Sequence, residues 1–153
     1  MTRATRLWFH ASNLLVAGSG GVYAWTAYAC SPDDPFALVN HPLQPHALHL
    51  HVLSAPLLVL MIGMLWQSHA LPRYRGGETA SRATGVVLLV NALPMIASGV
   101  LIQTAVSPGW RIAWVVVHLL ASACWVVGSA LHSLHTWVRI PRLRRTGSPP
   151  PAR

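Results

Sequence analysis

Histidine is the residue type in this sequence with the clearest chemical potential, and there are nine of them. Three, His46, His49 and His51, fall within the stretch PHALHLHVL at the head of a long apolar segment. Two more, His118 and His132, are fourteen residues apart in the last apolar segment. Ionisable side chains inside membrane segments are costly, and they mark functional sites by default. These histidines are therefore the first candidates for a site.

The spacing of His118 and His132 predicts that both lie on one face of a helix. Fourteen residues at about 100° each complete four turns less about 40°. At about 1.5 Å per residue, the two rings would lie about 21 Å apart along the axis. One ring would then lie in each leaflet of a membrane. His135 is about 100° from His132 and closer to the membrane surface.

Each of these two rings needs a partner at its own depth. The first apolar segment starts on the side where the last one ends, which places His10 level with His132. The second segment starts on the opposite side, which places its histidine cluster level with His118. Two facing imidazoles fill both axial positions of a haem iron. We therefore predict two b-type haems, one held by His10 with His132 and one by His49 with His118.

The choice of His49 depends on its helical face. His46 and His49 share a face, whereas His51 points about 160° away from His49. Gly63 follows His49 by fourteen residues on the same face, and it would leave room for a porphyrin at the depth of the inner haem, the one held by His10 and His132. We predict His49 as the outer ligand and His46, nearer the membrane surface, as a partner for a haem propionate.

Other small residues are expected to provide similar room. Ala24 follows His10 by fourteen residues, and three clusters, SGSGG, ASG and GSA, lie in the first, third and last segments. Small residues and histidines also make ordinary contacts between membrane helices. A structural histidine network is therefore one alternative. Transport of a divalent metal ion is another, although the segments lack the carboxylates that such ions usually recruit.

The elements that must position these residues are long and apolar. The chain is 53% hydrophobic and 9% charged, which is too few charges to cover a soluble domain of this size. Four segments have about the 20 residues that cross a bilayer: residues 7–29, 47–66, 83–106 and 110–138. We predict an all-α integral membrane four-helix bundle as one domain, residues 1–140, followed by a flexible basic cytoplasmic tail, residues 141–153.

The arginines indicate topology. The net charge is +8, but the arginines lie between apolar segments instead of on one polar face, which argues against nucleic-acid binding. They gather near both termini and between the second and third segments. The positive-inside rule then places both termini in the cytoplasm and the loop of residues 31–45 outside, with the chain in contact with membrane lipid. Cys30 and Cys124 are expected at different depths, so no disulfide is predicted.

The order of the histidines resembles that in a known family. One lies in the first helix, one at the head of the second, none in the third and two, fourteen apart, in the fourth. This order, with RLWFHASN, ASGVLIQ and HLLASACWVVGSALH, resembles the di-haem cytochrome b subunits that anchor bacterial formate dehydrogenases and nickel–iron hydrogenases. The resemblance covers residues 6–138. It implies a subunit of the bacterial inner membrane with quinone chemistry at the inner haem.

The predicted function is electron transfer across the membrane, between an outer (periplasmic) redox protein and the quinone pool. Asn13, one turn from His10, and Asn91 are candidates for a polar group near the quinone, although Asn13 could equally form an interhelical hydrogen bond. An iron with two imidazole ligands cannot bind a substrate, so the chain is predicted to be a subunit of a larger oxidoreductase and not a complete enzyme. The Pro-restrained outer loop, with Asp33, Asp34 and Phe36, is the expected surface for the partner.

Overall fold

The computed structural model describes the backbone of residues 2–32, 34–79 and 81–145, and the side chains as far as residue 134. The regular structure of these residues is entirely helical, which confirms that the fold is all-α. A π-helical turn, Trp66–Ala70, joins the second and third of five α-helices. These are α1 (Arg3–Tyr28), α2 (Gln44–Leu65), α3 (Leu71–Arg75), α4 (Arg82–Thr104) and α5 (Pro108–Arg145).

The chain divides into two compact units, Met1–Gly76 and Gly77–Arg153. In the first unit α1 packs against α2, and in the second α4 packs against α5. Both pairs are antiparallel, because each consists of two long helices joined by a connection that reverses the chain. Each pair is therefore a helical hairpin with a seam of contacts along its length.

The buried residues of each seam recur at intervals of three and four. This is the spacing of helices that cross at a shallow angle. Most of these residues are small or carry a hydroxyl, as is usual where membrane helices meet. Each seam hydroxyl donates to a carbonyl three or four residues earlier in its own helix, as Ser19 does to Leu15 at 2.7 Å. The buried polar and small residues include Ser12, Ser19, Thr26, Ala47, Ser54, Ala92, Ser98, Ala121 and Ser129.

Large apolar residues lie on the outside of the helices. Leu14, Leu53 and Leu93 are each at least 70% exposed. Small and polar residues lie inside and leucines lie outside, which is the reverse of the distribution in a soluble protein. This distribution suits a protein surrounded by lipid. Within the described residues, three helical segments are long and apolar enough to cross a membrane: Gln44–Arg75, Arg82–Thr104 and Pro108–Leu134. The prediction of a multi-pass membrane protein is confirmed to that extent.

The first helix, α1, is not among these three segments. Its 26 residues are ample for a span, but His10, Asn13 and several seam serines reduce its hydropathy. In the described part of the chain, three segments therefore meet both the length and the composition expected of a membrane span. The fourth span, and with it the placement of both termini, stays a prediction.

Several helices start earlier than the sequence analysis predicted. We predicted residue 47 as the start of the second segment and residue 110 as the start of the last, but α2 begins at Gln44 and α5 at Pro108. The predicted bounds left Pro45 and Pro108 outside the two segments. Proline is instead well suited to the first turn of a helix, where its missing N–H would have no helical partner and its φ is already helical. Residues 141–145 of the predicted tail continue α5, and residues 146–153 lie outside the described residues.

The second segment also ends later than predicted. We placed its end at Trp66, but the helical path continues through the π turn and α3 to Arg75. Pro72 has no N–H, and its ring would collide with the carbonyl of Ser68 in a regular α-helix. The wider turn relieves this collision, because the N–H of Leu71 bonds to the carbonyl of Trp66. Such π turns are uncommon and re-aim the side chains that follow them.

Candidate functional site

His118 is half-buried on α5 and faces α4. Its Nδ1 atom lies 3.0 Å from the carbonyl oxygen of Met95 and 3.2 Å from the hydroxyl of Ser98. The ring lies directly over Gly99, where an added Cβ would come within 3.2 Å of it. The glycine therefore makes the space that this imidazole occupies.

His132 occupies a comparable position nearer the other end of the hairpin. Its Nδ1 atom lies 2.8 Å from the hydroxyl of Thr84, and a Cβ on Gly85 would lie 3.7 Å from the ring. Both α5 histidines thus contact α4, which confirms the prediction that they share a helix face. In a straight helix, residues fourteen apart are offset by about 40° around the axis. Fourteen residues are two heptads, so along a seam with a period of 3.5 residues the two histidines have no such offset.

The hydrogen bond of His118 determines which of its ring nitrogens carries the proton. A carbonyl oxygen can only accept, so Nδ1 of His118 donates to Met95. The Thr84 hydroxyl lies 3.0 Å from the carbonyl of Ser81 and 2.8 Å from Nδ1 of His132 and can donate to either, so this bond fixes the position of the His132 ring and not its tautomer. In a neutral ring with the proton on Nδ1, the lone pair is on Nε2. That is the tautomer of a histidine that binds a metal through Nε2 while its other nitrogen donates to the protein.

In the first hairpin, His51 is the histidine of the predicted cluster that contacts α1. It is half-buried, and its Nδ1 atom lies 2.9 Å from the carbonyl oxygen of Val16. An added Cβ on Gly20 would come within 2.8 Å of the ring. His46 and His49, by contrast, have exposed side chains. The sequence analysis had placed His51 on the opposite face from His49, and the structure shows that the face of His51 is the one that meets α1.

The remaining predicted ligand, His10, is exposed on α1 and makes an edge-on contact with Phe9, with ring centroids 5.5 Å apart. Each predicted haem pair, His10 with His132 and His49 with His118, takes one histidine from each compact unit. Both pairs stay predictions. Asn13 is half-buried on α1.

The small residues that were expected to make room for a porphyrin fall into two groups. Gly63, Gly18 and Gly21 have nothing within 4 Å of an added Cβ, so the helix surface is open there. Gly20 and Gly99 instead lie under histidine rings. In the third predicted cluster, Gly128 packs against Leu88, which would lie 3.0 Å from its Cβ.

Asn91, a candidate for quinone binding, is part of the α4–α5 seam. Its side-chain N–H donates to the carbonyl of Ala121 at 2.8 Å. The amide therefore serves as an interhelical hydrogen bond of the kind common in membrane proteins. Of the other histidines, His41 contacts the Trp25 ring at 5.8 Å, His69 lies in the π turn, and the side chain of His135 is outside the described residues.

A mostly apolar groove of about 290 Å³ runs between α1 and α2. Gly18 and Ala47 form part of its walls, and His46 lies at its rim near the connection of residues 29–43. The groove exists because two small residues face each other there. It gives His46, the predicted partner of a haem propionate, an apolar cleft beside it.

Comparison with protein-family models, with curated proteins and with solved structures finds no match to this chain. The resemblance to di-haem cytochrome b subunits therefore rests on the histidine order and the sequence stretches given above.

Replacing Gly20 with alanine is expected to destabilise the first hairpin. The new methyl group would lie within 2.8 Å of the His51 ring, so the ring must move and lose its bond to Val16. Overpacking of this kind costs about 1–3 kcal/mol. Thermal unfolding in detergent, followed by circular dichroism, should show a lower midpoint than for the unmodified chain.

Gly21→Ala is the matched control, because the same helix turn has nothing within 4 Å at that position. Alanine is the better helix former, so Gly21→Ala should leave the midpoint unchanged or raise it. Equal midpoints for Gly20→Ala and Gly21→Ala would contradict the close contact between His51 and α1.

Proposed function

We propose that this chain is an electron-transfer subunit of the bacterial inner membrane that holds two b-type haems through histidine pairs. The observation that supports it most is the state of His118 and His132. Both rings lie on the α4-facing side of α5, two heptads apart, and the Nδ1 atom of each is hydrogen-bonded to α4. Two imidazoles that the protein orients at two depths are what two separate haem irons require.

The residues present fit haem as the cofactor. The neutral Nδ1–H tautomer of His118 leaves the lone pair on Nε2, which is the ligand atom that haem iron takes. Gly63, which the sequence analysis placed at the depth of the inner haem, has open space at its Cβ position. A small residue without neighbours is what a flat macrocycle needs beside a helix. Under the proposal, His10 pairs with His132, and the histidine cluster of α2 supplies the partner of His118.

Bound haem would supply a one-electron ferric–ferrous couple, closed to substrate by its two imidazoles. The chain itself supplies the ligands and fixes their orientation through Met95, Ser98 and Thr84. It also excludes water, because the outer faces of the helices are apolar and the seams are lined by small residues.

The proposal includes α1 as the fourth span, with both termini in the cytoplasm. Trp8 and Trp25 are 67% and 56% exposed near the two ends of this helix. They are 17 residues apart, or about 26 Å along the axis, close to the thickness of a hydrocarbon core. Tryptophans at both interfaces anchor a span whose own hydropathy is modest.

Quinone is the proposed partner at the inner haem, close to His10 and His132. Asn13 lies one turn from His10 and is the candidate for a polar contact with it. Asn91 is less suited to that role, because its amide already joins α4 to α5. Electrons would pass between this quinone and a redox protein on the outer side.

The connection of residues 29–43 is the proposed surface for that outer redox protein. The Asp34 carboxylate accepts from the N–H of Phe36 at 2.9 Å, and this turn presents Phe36 at 91% exposure. Further along, Asn40 donates to the carbonyl of Ala27 at 2.9 Å and so ties the loop back to α1. Leu38, between these two fixed points, is fully exposed. A preordered loop with apolar residues outward binds a partner at low entropic cost.

Affinity purification from native membranes is expected to retain a redox subunit on this chain, and Phe36→Ser with Leu38→Ser should release it. Tyr74→Ser, a change to an exposed aromatic residue at the end of α3, is the control and should retain the subunit. If the unmodified chain purifies alone and reduces quinone from a small-molecule donor, the anchor-subunit role is wrong.

The purified chain is expected to be red and to give sharp reduced-minus-oxidised absorption bands of b-type haem, with two haems per chain. The physical reason is that two imidazoles make a strong-field, closed iron site at each haem. Pyridine haemochrome analysis gives the ratio of haem to protein. A colourless protein that was produced with haem supplied in excess would overturn the proposal and favour metal-ion transport or a structural histidine network.

A further inference from the structure

The two hairpins hold one histidine each by the same device. In the first hairpin, Nδ1 of His51 on α2 lies 2.9 Å from the carbonyl oxygen of Val16 on α1. In the second, Nδ1 of His118 on α5 lies 3.0 Å from the carbonyl oxygen of Met95 on α4. In both cases the acceptor is a backbone carbonyl of the preceding long helix. Each ring is therefore held by an atom that no side-chain substitution removes.

The residue four places after each acceptor is glycine. Gly20 follows Val16, and Gly99 follows Met95, and each lies under the ring of the bound histidine. An added Cβ would come within 2.8 Å of His51 and 3.2 Å of His118. In an α-helix the side chain at position i+4 lies over the carbonyl of residue i. Glycine at that place uncovers the carbonyl and lets an imidazole reach it.

The residue before each glycine is a buried serine in an equivalent position. Ser19 donates to the carbonyls of Leu15 and Val16 at 2.7 and 3.2 Å. Ser98 donates to the carbonyls of Pro94 and Met95 at 2.6 and 3.1 Å. The two receptor segments thus read VAGSG and MIASG, and share an apolar residue, a small residue, serine and glycine in register.

The chemistry of the His51 ring follows from its acceptor. Because the carbonyl of Val16 can only accept, Nδ1 carries the proton, and the neutral ring has its lone pair on Nε2. His118 is in the same state for the same reason. His49, by contrast, is exposed on another face of α2. In the cluster of His46, His49 and His51, the ring that is oriented by a hydrogen bond to α1 is that of His51. Its proton on Nδ1 leaves Nε2 as the atom that would bind a metal.

From this equivalence we infer that His51, and not His49, is the α2 ligand of a haem iron, binding through Nε2 as His118 does in its own hairpin. The inference rests on the proposed function, and it names the α2 residue that would bind one of its two haems. Val16, Gly20 and Ser19 are then positioning residues for His51. A metal ligand whose second nitrogen donates to a fixed acceptor is held in one tautomer and one orientation.

The test separates ligation from a merely structural hydrogen bond. His51→Asn keeps an N–H donor that can reach the Val16 carbonyl but removes the second ring nitrogen. The expected result, by pyridine haemochrome analysis of the purified full chain, is a fall from two haems to one. His49→Asn is the matched control two residues earlier and should retain two haems. Two haems in His51→Asn, or one haem in His49→Asn, would overturn the inference.

A second variant covers the case in which His51→Asn does not accumulate. His51→Met introduces an apolar side chain of similar length and offers a sulfur ligand, which raises the reduction potential of a haem. Redox titration should show one potential raised and the other unchanged. Two unchanged potentials would overturn the inference while leaving the proposed function intact. An unmodified chain that binds no haem would overturn both.

Discussion

Replacing His118 with alanine is expected to remove about half of the bound haem and to leave the haem at the other depth in place. Alanine offers no ligand, and a haem with a single imidazole is held weakly in an apolar bundle. The other pair lies two heptads away and keeps both its ligands. His132→Ala should give the mirror result, with the outer haem retained. The measurement is haem per chain together with a redox titration, in which one of the two potentials should disappear.

His41→Ala is a suitable control, because His41 lies in the loop against Trp25 and outside the proposed ligand set. It should keep both haems. Ser98→Ala tests the orientation of the ring alone: Met95 still accepts from His118, so the haem should stay, with a shifted potential. Full haem in both His118→Ala and His132→Ala would refute the ligand assignment.

Re-oxidation by quinone is the second result with a large expected effect. Protein reduced with dithionite and freed of excess reductant should be re-oxidised rapidly by a soluble quinone analogue. The inner haem should react first, because the proposed quinone contact is beside His10 and His132. His132→Ala should therefore lose most of the rapid phase, while His118→Ala should keep it. The measurement is stopped-flow absorbance in the haem bands.

A simple control separates a quinone site from unspecific chemistry at exposed haem. Raising the quinone concentration should saturate the rate if a site exists, and the rate should rise without limit if it does not. If neither haem responds to quinone at a useful rate, the quinone role fails, and a relay between two protein partners is left as the function.

Part of this arrangement could be predicted from the sequence because it depends on local geometry. The common face of His118 and His132 follows from helical periodicity alone, since both are on one unbroken helix. The three apolar spans likewise follow from run length and composition. The helix starts at Gln44 and Pro108 were missed for a reason that is also local. The predicted segments began after Pro45 and Pro108, although proline in the first turn favours a helix.

The orientation of His51 could not be predicted in the same way. Its periodicity shows only that it points away from His49. Which of the two faces meets α1 depends on how the hairpin packs, and the α1 residues that decide it are more than thirty positions earlier. A signal was nevertheless present in the repeated Ser-Gly pairs, Ser19–Gly20 and Ser98–Gly99, each one helix ahead of a histidine. The sequence alone does not show that these pairs bind histidines, because that depends on the carbonyl acceptor that the structure places beside each glycine.

The two-heptad separation of His118 and His132 restricts which insertions and deletions evolution could retain in this gene. One residue added between them would turn His132 about 100° away from Thr84. Seven added residues would restore the face but shift the ring by about 10 Å along the helix, beyond the reach of Thr84 unless α4 gained a heptad as well. Length changes in α5 should therefore be inherited only in sevens and only together with α4. Residues after His132 are under no such restriction from these two histidines.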